Sequence, residues 1–398
     1  MALFGFVLSM PFAIKINSLF VILTAVIWLS KLTPVQDLKL VLKQRTFLLL
    51  YIFYGLYIIG LLYSANTKAA GAELELKSTF ILLPLAFTSA QLTRRDCNNY
   101  LKAFIAGNVA ASLISTGMLL HKIFILDQYR AQGSFLNVDW VYFSYFLPKQ
   151  LDFHSPYFSM YTIMSAIIAA YFCVMYTFEK SRPAKSILYA VLLFYLLAFT
   201  VMLSSRTALI AGLIILTSGF MAYLLYRRKF LLSVGVLFAV LVASYVVITN
   251  TPYLKQKISE GTGFDQRRQM WQGSFNLISE NPLAGVGPGD VKDRLTREYY
   301  RIGYSEGVEN HLDPHNQYIQ LLVALGIVGL LVFLAYLLQL LYLSLTLKIY
   351  LLTAFTLLIM LCSMTESVLG SQKGLVFFTF FSALFVSPKK DYVPKTHA

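Results

Sequence analysis

The sequence predicts an all-α protein: a polytopic bundle of about 12 transmembrane helices, with one large outer loop carrying short helices between helices nine and ten. Three observations predict it. The 398-residue chain is 58% hydrophobic and only 13% charged, where a soluble domain carries about 25% charged residues; its mean hydropathy is +0.66. Apolar runs near the ~20 residues that a spanning helix needs recur along it. Lys and Arg collect on alternate connections between those runs, as they do in cytoplasmic loops.

In order, the apolar segments are 2–14, 17–30, 46–63, 78–90, 102–120, 158–178, 187–203, 207–226, 230–249, 315–341, 349–364 and 374–387. The first and fourth are short for a full span, which leaves a tilted, kinked or re-entrant piece open for each. With the N-terminus inside, the inner connections hold 17 of the 33 Lys and Arg, and the short outer ones hold five: Lys15, Lys68, Lys77, Arg206 and Lys373. The two long connections, 121–157 and 250–314, count for little in the orientation rule. The bias places both termini in the cytoplasm and both long loops outside. The chain then divides into helices one to nine (1–249), the large outer loop (250–314), and helices ten to twelve with a cytoplasmic tail (315–398).

This topology accounts for the net charge of +14 without nucleic acid. "RRK" (Arg227, Arg228, Lys229) and "PKKDY" are inner-loop charges beside membrane lipids. The 26 Tyr and 31 Phe partly form interfacial belts, as in "VYFSYFLPKQLDFHSPYFSMY" over 141–161. Cys97, Cys173 and Cys362 form neither a disulfide framework nor a metal spacing. The start "MALFGFVLSM" lacks the basic region of a signal peptide. No inverted repeat of the transporter kind stands out.

Nine of the 19 acidic residues lie in loop 250–314 and nearly balance its eight basic ones, so the loop reads as a folded, mixed-charge surface. Residues 265–279 predict a helix with Arg267, Met270, Trp271 and Phe275 near one face. "ENPLAGVGPGD" breaks it with two Pro and three Gly, and "DVKDRLTREYYRIGY" predicts a second helix. The glycine run lacks the Lys-Ser/Thr ending and the preceding strand of a phosphate loop. In "HLDPHNQYIQ", Asp313 is suited to N-cap helix ten and Pro314 to its first position. His315 would then stand in the first turn, where the helix dipole favours neutral imidazole, the form a general base needs. An interfacial cap is the other reading.

Arg206, in "VMLSSRTALIAG", has no acidic sequence neighbour. With Ser204 or Ser205 capping the next helix, it makes an anion site suited to phosphate; an arginine reaching for headgroups is the alternative. Arg267 and Arg268 diverge by about 100° on a helix, so one can face a pocket and the other water. His311 and His315 have the i, i+4 spacing of a zinc pair, but Pro314 between them argues against one regular helix and against a metal site. His154, in "DFHSPYF", is a weaker candidate on the same side.

The ordered series "SSRTALIAG", "RRQMW", "NPLAGVGPGD" and "DPHNQYIQLLVALGIVGLL", over about 205–335, resembles the O-antigen ligase and O-antigen polymerase family. The resemblance implies an integral-membrane, metal-independent, inverting glycosyltransferase without a cofactor, in the bacterial inner membrane with its active site on the periplasmic side. The donor would be a glycan on polyprenyl diphosphate. The acceptor would be lipid A-core for a ligase, or a lipid-linked glycan for a polymerase. It implies that His315 deprotonates or orients the acceptor hydroxyl and that Arg206 and Arg267, with Arg268 as the alternative, hold the diphosphate. Some family members carry a second histidine two residues before the catalytic one. Here that position is Asp313, which suits orientation of the helix start or imidazole, and His311 is the nearest other histidine. A glycolipid transporter without chemistry is the rival; it calls for intramembrane acids or broken helices.

Overall fold

Apolar length decides which segments become long helices in the computed structural model. It describes residues 2–30, 44–126, 142–178, 182–235 and 262–387, and no strand occurs among them. In chain order the helices are α1 (Ala2–Ser9), α2 (Ile14–Leu29), α3 (Arg45–Tyr63), α4 (Thr67–Lys77), α5 (Thr79–Ser89), α6 (Arg94–Phe124), α7 (Ser155–Phe178), α8 (Pro183–Leu203), α9 (Arg206–Tyr226), α10 (Thr262–Glu280), α11 (Val291–Arg301), α12 (Ser305–Asn310), α13 (Gln317–Thr346), α14 (Tyr350–Cys362) and α15 (Gln372–Val386). A π-helical turn, Tyr142–Phe146, precedes α7, and a 3-10 turn, Val368–Gly370, precedes α15. Among the described residues, α3, α6, α7, α8, α9 and α13 are long and apolar enough to cross a membrane. Most of the predicted ninth helix, the start of the large loop and the "PKKDY" tail lie outside the described residues.

The two short segments are resolved by their breaks. The first stops at Ser9, and a turn through Pro11 leads into α2; α1 rises only about 12 Å, well below a ~30 Å hydrocarbon core. The fourth is α5, with Pro84 inside it, and rises about 16 Å. The preceding helix, α4, is not foreshadowed by an apolar run. It is capped by Asn66, whose side chain accepts from the Ala69 amide, and it buries Lys77 against Glu73 at 2.6 Å.

α15 is the central helix. Every residue from Lys373 to Phe385 is buried, although the helix is only about 22 Å long. Its phenylalanines interlock with neighbouring helices: Phe381 meets Phe104 of α6 at 4.9 Å between centroids, and Phe377 meets Tyr161 of α7 at 4.8 Å. Edge-to-face and offset geometries of this kind add about 0.5–1.5 kcal/mol per pair beyond simple burial. α7 packs on α8, α3 on α13, and α9 on α14.

The apolar run of helix ten forms α13, which breaks at Gly326, with φ +64° and ψ −163°. The break frees backbone groups that must be satisfied at this depth. The glycine-rich segment supplies them: Val286 N–H donates to Val323 O at 2.8 Å, Gly287 N–H to Ala324 O at 3.1 Å, and Ile327 N–H to Pro282 O at 2.9 Å. Gly285 and Gly287 adopt φ of +71° and +96°, the conformations for which glycine is needed. Asp290, at the end of the run, accepts from the Ala65 and Asn66 amides at 2.8 and 2.7 Å. "NPLAGVGPGD" is therefore a clasp joining α13 to the α3–α4 turn.

Both helices predicted in the large loop form, as α10 and α11. On α10 Met270 is buried and Trp271 half-buried, but Phe275 is exposed. The buried face runs through Met270, Ser274 and Leu277, a correction to the expected stripe. Asn276 on α10 donates to Glu298 on α11 at 2.5 Å, and Glu298 also binds Arg301 at 2.6 Å.

Candidate active site

The start of α13 is set by Asn316. Its side-chain oxygen accepts from the Tyr318 and Ile319 amides at 2.9 and 3.1 Å, an N-cap worth about 1 kcal/mol. This corrects the expected cap at Asp313. The Asp313 carboxylate instead accepts from the His315 amide at 3.0 Å, closing a tight turn with His315 at φ +45°. His315 thus lies before the helix, and the dipole is not what governs its charge.

The turn is clamped from three sides. Trp271 Nε1 on α10 donates to Pro314 O at 3.0 Å, so the "RRQMW" helix is docked against the residue preceding His315. The Asn316 side-chain amide donates to Met364 O at 3.0 Å, and the Gln317 N–H to Ser363 O at 2.8 Å. Gln317 Oε1 accepts from Leu369 N–H at 2.6 Å. These bonds fix the loop after α14 beside the imidazole.

That loop carries Glu366. Oε2 of Glu366 is 3.5 Å from His315 Nδ1, and Asp313 Oδ1 is 3.4 Å from the same nitrogen. The Glu366 carboxylate holds the His315 pKa above the usual histidine value; burial pulls it down, Asp313 adds to the rise, and the Arg267 charge opposes it. The expectation that the helix terminus would favour neutral imidazole is overturned, because two carboxylates stand closer. Both lie on the Nδ1 side, which favours the neutral ring's proton there and the lone pair on Nε2.

The arginines divide. Arg267 is half-buried and its charge acts on His315, while Arg268 is exposed. Arg206 is the first residue of α9 and exposed, and its side chain makes no hydrogen bond or ion pair among the described residues. The expected serine cap is not formed: Ser205 occupies the N-cap position without a side-chain bond to the helix, and Ser204 turns back to Val201 O and Met202 O. The first amides of α9 therefore lack that cap, beside the Arg206 guanidinium. The next residue, Thr207, accepts from Thr365 Oγ1 at 2.8 Å, and Thr365 adjoins Glu366. A pocket of about 10 Å³ lies between them, lined by Tyr157, Ser205, Thr207, Thr365 and Glu366 among others, at the lower limit for one water.

The remaining candidates are apart from this arrangement. His311 ends α12 at φ +49° and contacts Thr296 Oγ1 through Nδ1 at 3.1 Å. His154 is exposed, and its carbonyl accepts from the Tyr157 and Phe158 amides at the start of α7. Among the described residues no group of three or more His, Cys, Asp or Glu is placed to hold a metal ion. Glu366 was not a sequence candidate. Its signal was isolation, since it is the only acidic residue between Asp313 and Asp391.

Residues 190–334 match the O-antigen ligase family. The match takes in Arg206, Arg267, Arg268, Asp313 and His315, and bears out the resemblance seen in the ordered motifs. Glu366 and His154 fall outside it. No curated protein matches the chain. The family match and the six membrane-length helices support a membrane glycan-processing enzyme acting on lipid-linked glycans.

Proposed function

We propose that the protein is an integral-membrane glycosyltransferase, an O-antigen ligase that moves a glycan from polyprenyl diphosphate to a hydroxyl of lipid A-core. It works at the periplasmic face of the bacterial inner membrane, with both termini cytoplasmic. The observation that carries this reading is His315, with carboxylates on Nδ1, under the charge of Arg267 and joined through Thr365 and Thr207 to the helix that begins at Arg206.

Nε2 of His315 takes the acceptor proton as the acceptor oxygen bonds to the anomeric carbon. The carbon–oxygen bond to the diphosphate breaks on the opposite face, which inverts that centre. The polyprenyl diphosphate leaves with the bonding electrons. Its growing charge is met by Arg206 and Arg267, in the manner of preorganised donors, and no metal ion is needed. The break in α13 does not argue for transport, because its carbonyls at Val323 and Ala324 are already bonded to the glycine clasp.

The test is made in the native host with His315→Ala and Arg206→Ala at unchanged protein level. Each variant loses surface glycan, and full-length polymer remains on the carrier lipid. Single repeats on the acceptor would instead identify the polymerase of the same family. Normal surface glycan in both variants would show the site to be wrong.

A further inference from the structure

The end of the bundle away from His315 carries a second arrangement of charge. Tyr157 of α7 lines the pocket beside Glu366, and Tyr176 stands 19 residues further along the same helix, about 28 Å away. That is close to the ~30 Å of a hydrocarbon core, so Tyr176 marks the opposite interface. There it stacks on Tyr189 of α8 at 5.7 Å between centroids, and Phe172 meets Tyr189 at 5.1 Å. All three rings are buried.

Two lysines from different helices converge on these rings. Lys102 Nζ of α6 is 5.4 Å from the Phe172 centroid and 5.9 Å from that of Tyr176. Lys185 Nζ of α8 is 5.4 Å from the same Tyr176 ring. Neither ammonium has an ion pair among the described residues. Like charges gathered on one aromatic cluster repel unless an anion joins them. The first turn of α8, which has no side-chain cap, adds the positive end of its dipole at Lys185.

Lys102 also lines a cavity of about 520 Å³ between α1 and α6, within the size range of sites that hold small organic ligands. Phe4, Leu8, Ala103 and Ala106 give it an apolar wall. Phe4 and Ala106 are exposed, so that wall continues onto the outside of the bundle. Among the lining residues the one carboxylate is Asp96, and it is committed to the cap of α6: Oδ2 accepts from the Thr93 amide at 3.0 Å and from Thr93 Oγ1 at 2.6 Å. The cavity thus offers an unopposed cation at one side and an apolar path to the bilayer at the other.

We propose that it holds the headgroup of an anionic phospholipid, in the leaflet opposite the His315 site. The phosphate sits on Lys102, Lys185 adds a second positive charge, and an acyl chain lies along Phe4 and Ala106. A soluble phosphate would leave the apolar wall unused. The site is independent of the chemistry proposed at His315.

The experiment uses the full-length protein, purified in detergent and stripped of lipid. Thermal melting is followed on titration with short-chain phosphatidylglycerol, phosphatidylcholine or glycerol 3-phosphate. Phosphatidylglycerol should raise the midpoint, and the other two should not. Lys102→Gln combined with Lys185→Gln should need on the order of 10-fold more phosphatidylglycerol for the same rise. Lys229→Gln, which changes an exposed charge just past α9 at the same end, should respond as the unaltered protein does. A photoreactive phosphatidylglycerol on the unaltered protein keeps the test decisive if the double variant misfolds; it should label α1 and the first turns of α6. No rise with phosphatidylglycerol, or an equal rise with phosphatidylcholine, overturns the proposal. So does an equal rise with glycerol 3-phosphate, which would mean a soluble phosphate site. An equal loss in Lys229→Gln, the mark of diffuse charge attraction, or label confined to other helices, overturns it as well.

Discussion

Arg267 and Arg268 are chemically equal, and only their directions on α10 separate them. Arg267 is half-buried with its charge on His315, and Arg268 points to water. Arg267→Ala should reduce transfer on the order of 100-fold to 1,000-fold, as removal of one donor to a developing anion does. It should also move the acid limb of the pH–rate profile to higher pH, because Arg267 lowers the His315 pKa. Arg268→Ala should stay within about twofold, the range of an ordinary surface change. Equal losses in the two variants would contradict this assignment. The residues proposed for catalysis were legible in the sequence by type and isolation: Arg206 in an apolar stretch, His315 after Asp-Pro. Their relations were not. The cap at Asn316 in place of Asp313, and the approach of Glu366 from 51 residues beyond His315, depend on tertiary bonds to the loop after α14.

Among the elements, the glycine clasp and the break in α13 are one unit. Gly326 adopts φ and ψ in a region essentially restricted to glycine, costing other residues about 1–3 kcal/mol. A Cβ there would also lie 2.2 Å from the Leu283 carbonyl oxygen. Gly326→Ala should therefore lower the thermal midpoint in detergent by an amount matching at least ~2 kcal/mol, whereas Gly219→Ala, with open space around it, should not. An unchanged midpoint for Gly326→Ala would mean that the break is not required. Hydropathy showed the apolar run of helix ten and the Gly/Pro punctuation of the loop. It could not show that one fills the other, since the donors at Val286 and Gly287 precede their acceptors by 37 residues. α4 escaped notice for a related reason: "TKAAGAELELK" has no long apolar run, and its burial comes from packing on α3.

For the molecule as a whole, the apolar runs, their alternation of charge and a mixed-charge loop pointed to a helical membrane protein, and the six membrane-length helices among the described residues agree. The architecture brings three distant parts of the chain to one end of the bundle: the start of α9 with Arg206, α10 with Arg267, and the turn before α13 with His315. Trp271 to Pro314 and Thr365 to Thr207 are the bonds that hold them there. The central claim is that this end performs glycosyl transfer from a diphosphate. It is tested most directly with purified protein in detergent and EDTA, supplied with a polyprenyl-diphosphate-linked glycan and a lipid acceptor. The quantities followed are glycosylated acceptor and released polyprenyl diphosphate. The account predicts equimolar appearance of both with the unaltered protein, and a loss of at least about 100-fold in His315→Ala. Donor that binds or crosses vesicles without release of polyprenyl diphosphate, or full turnover by His315→Ala, would contradict it.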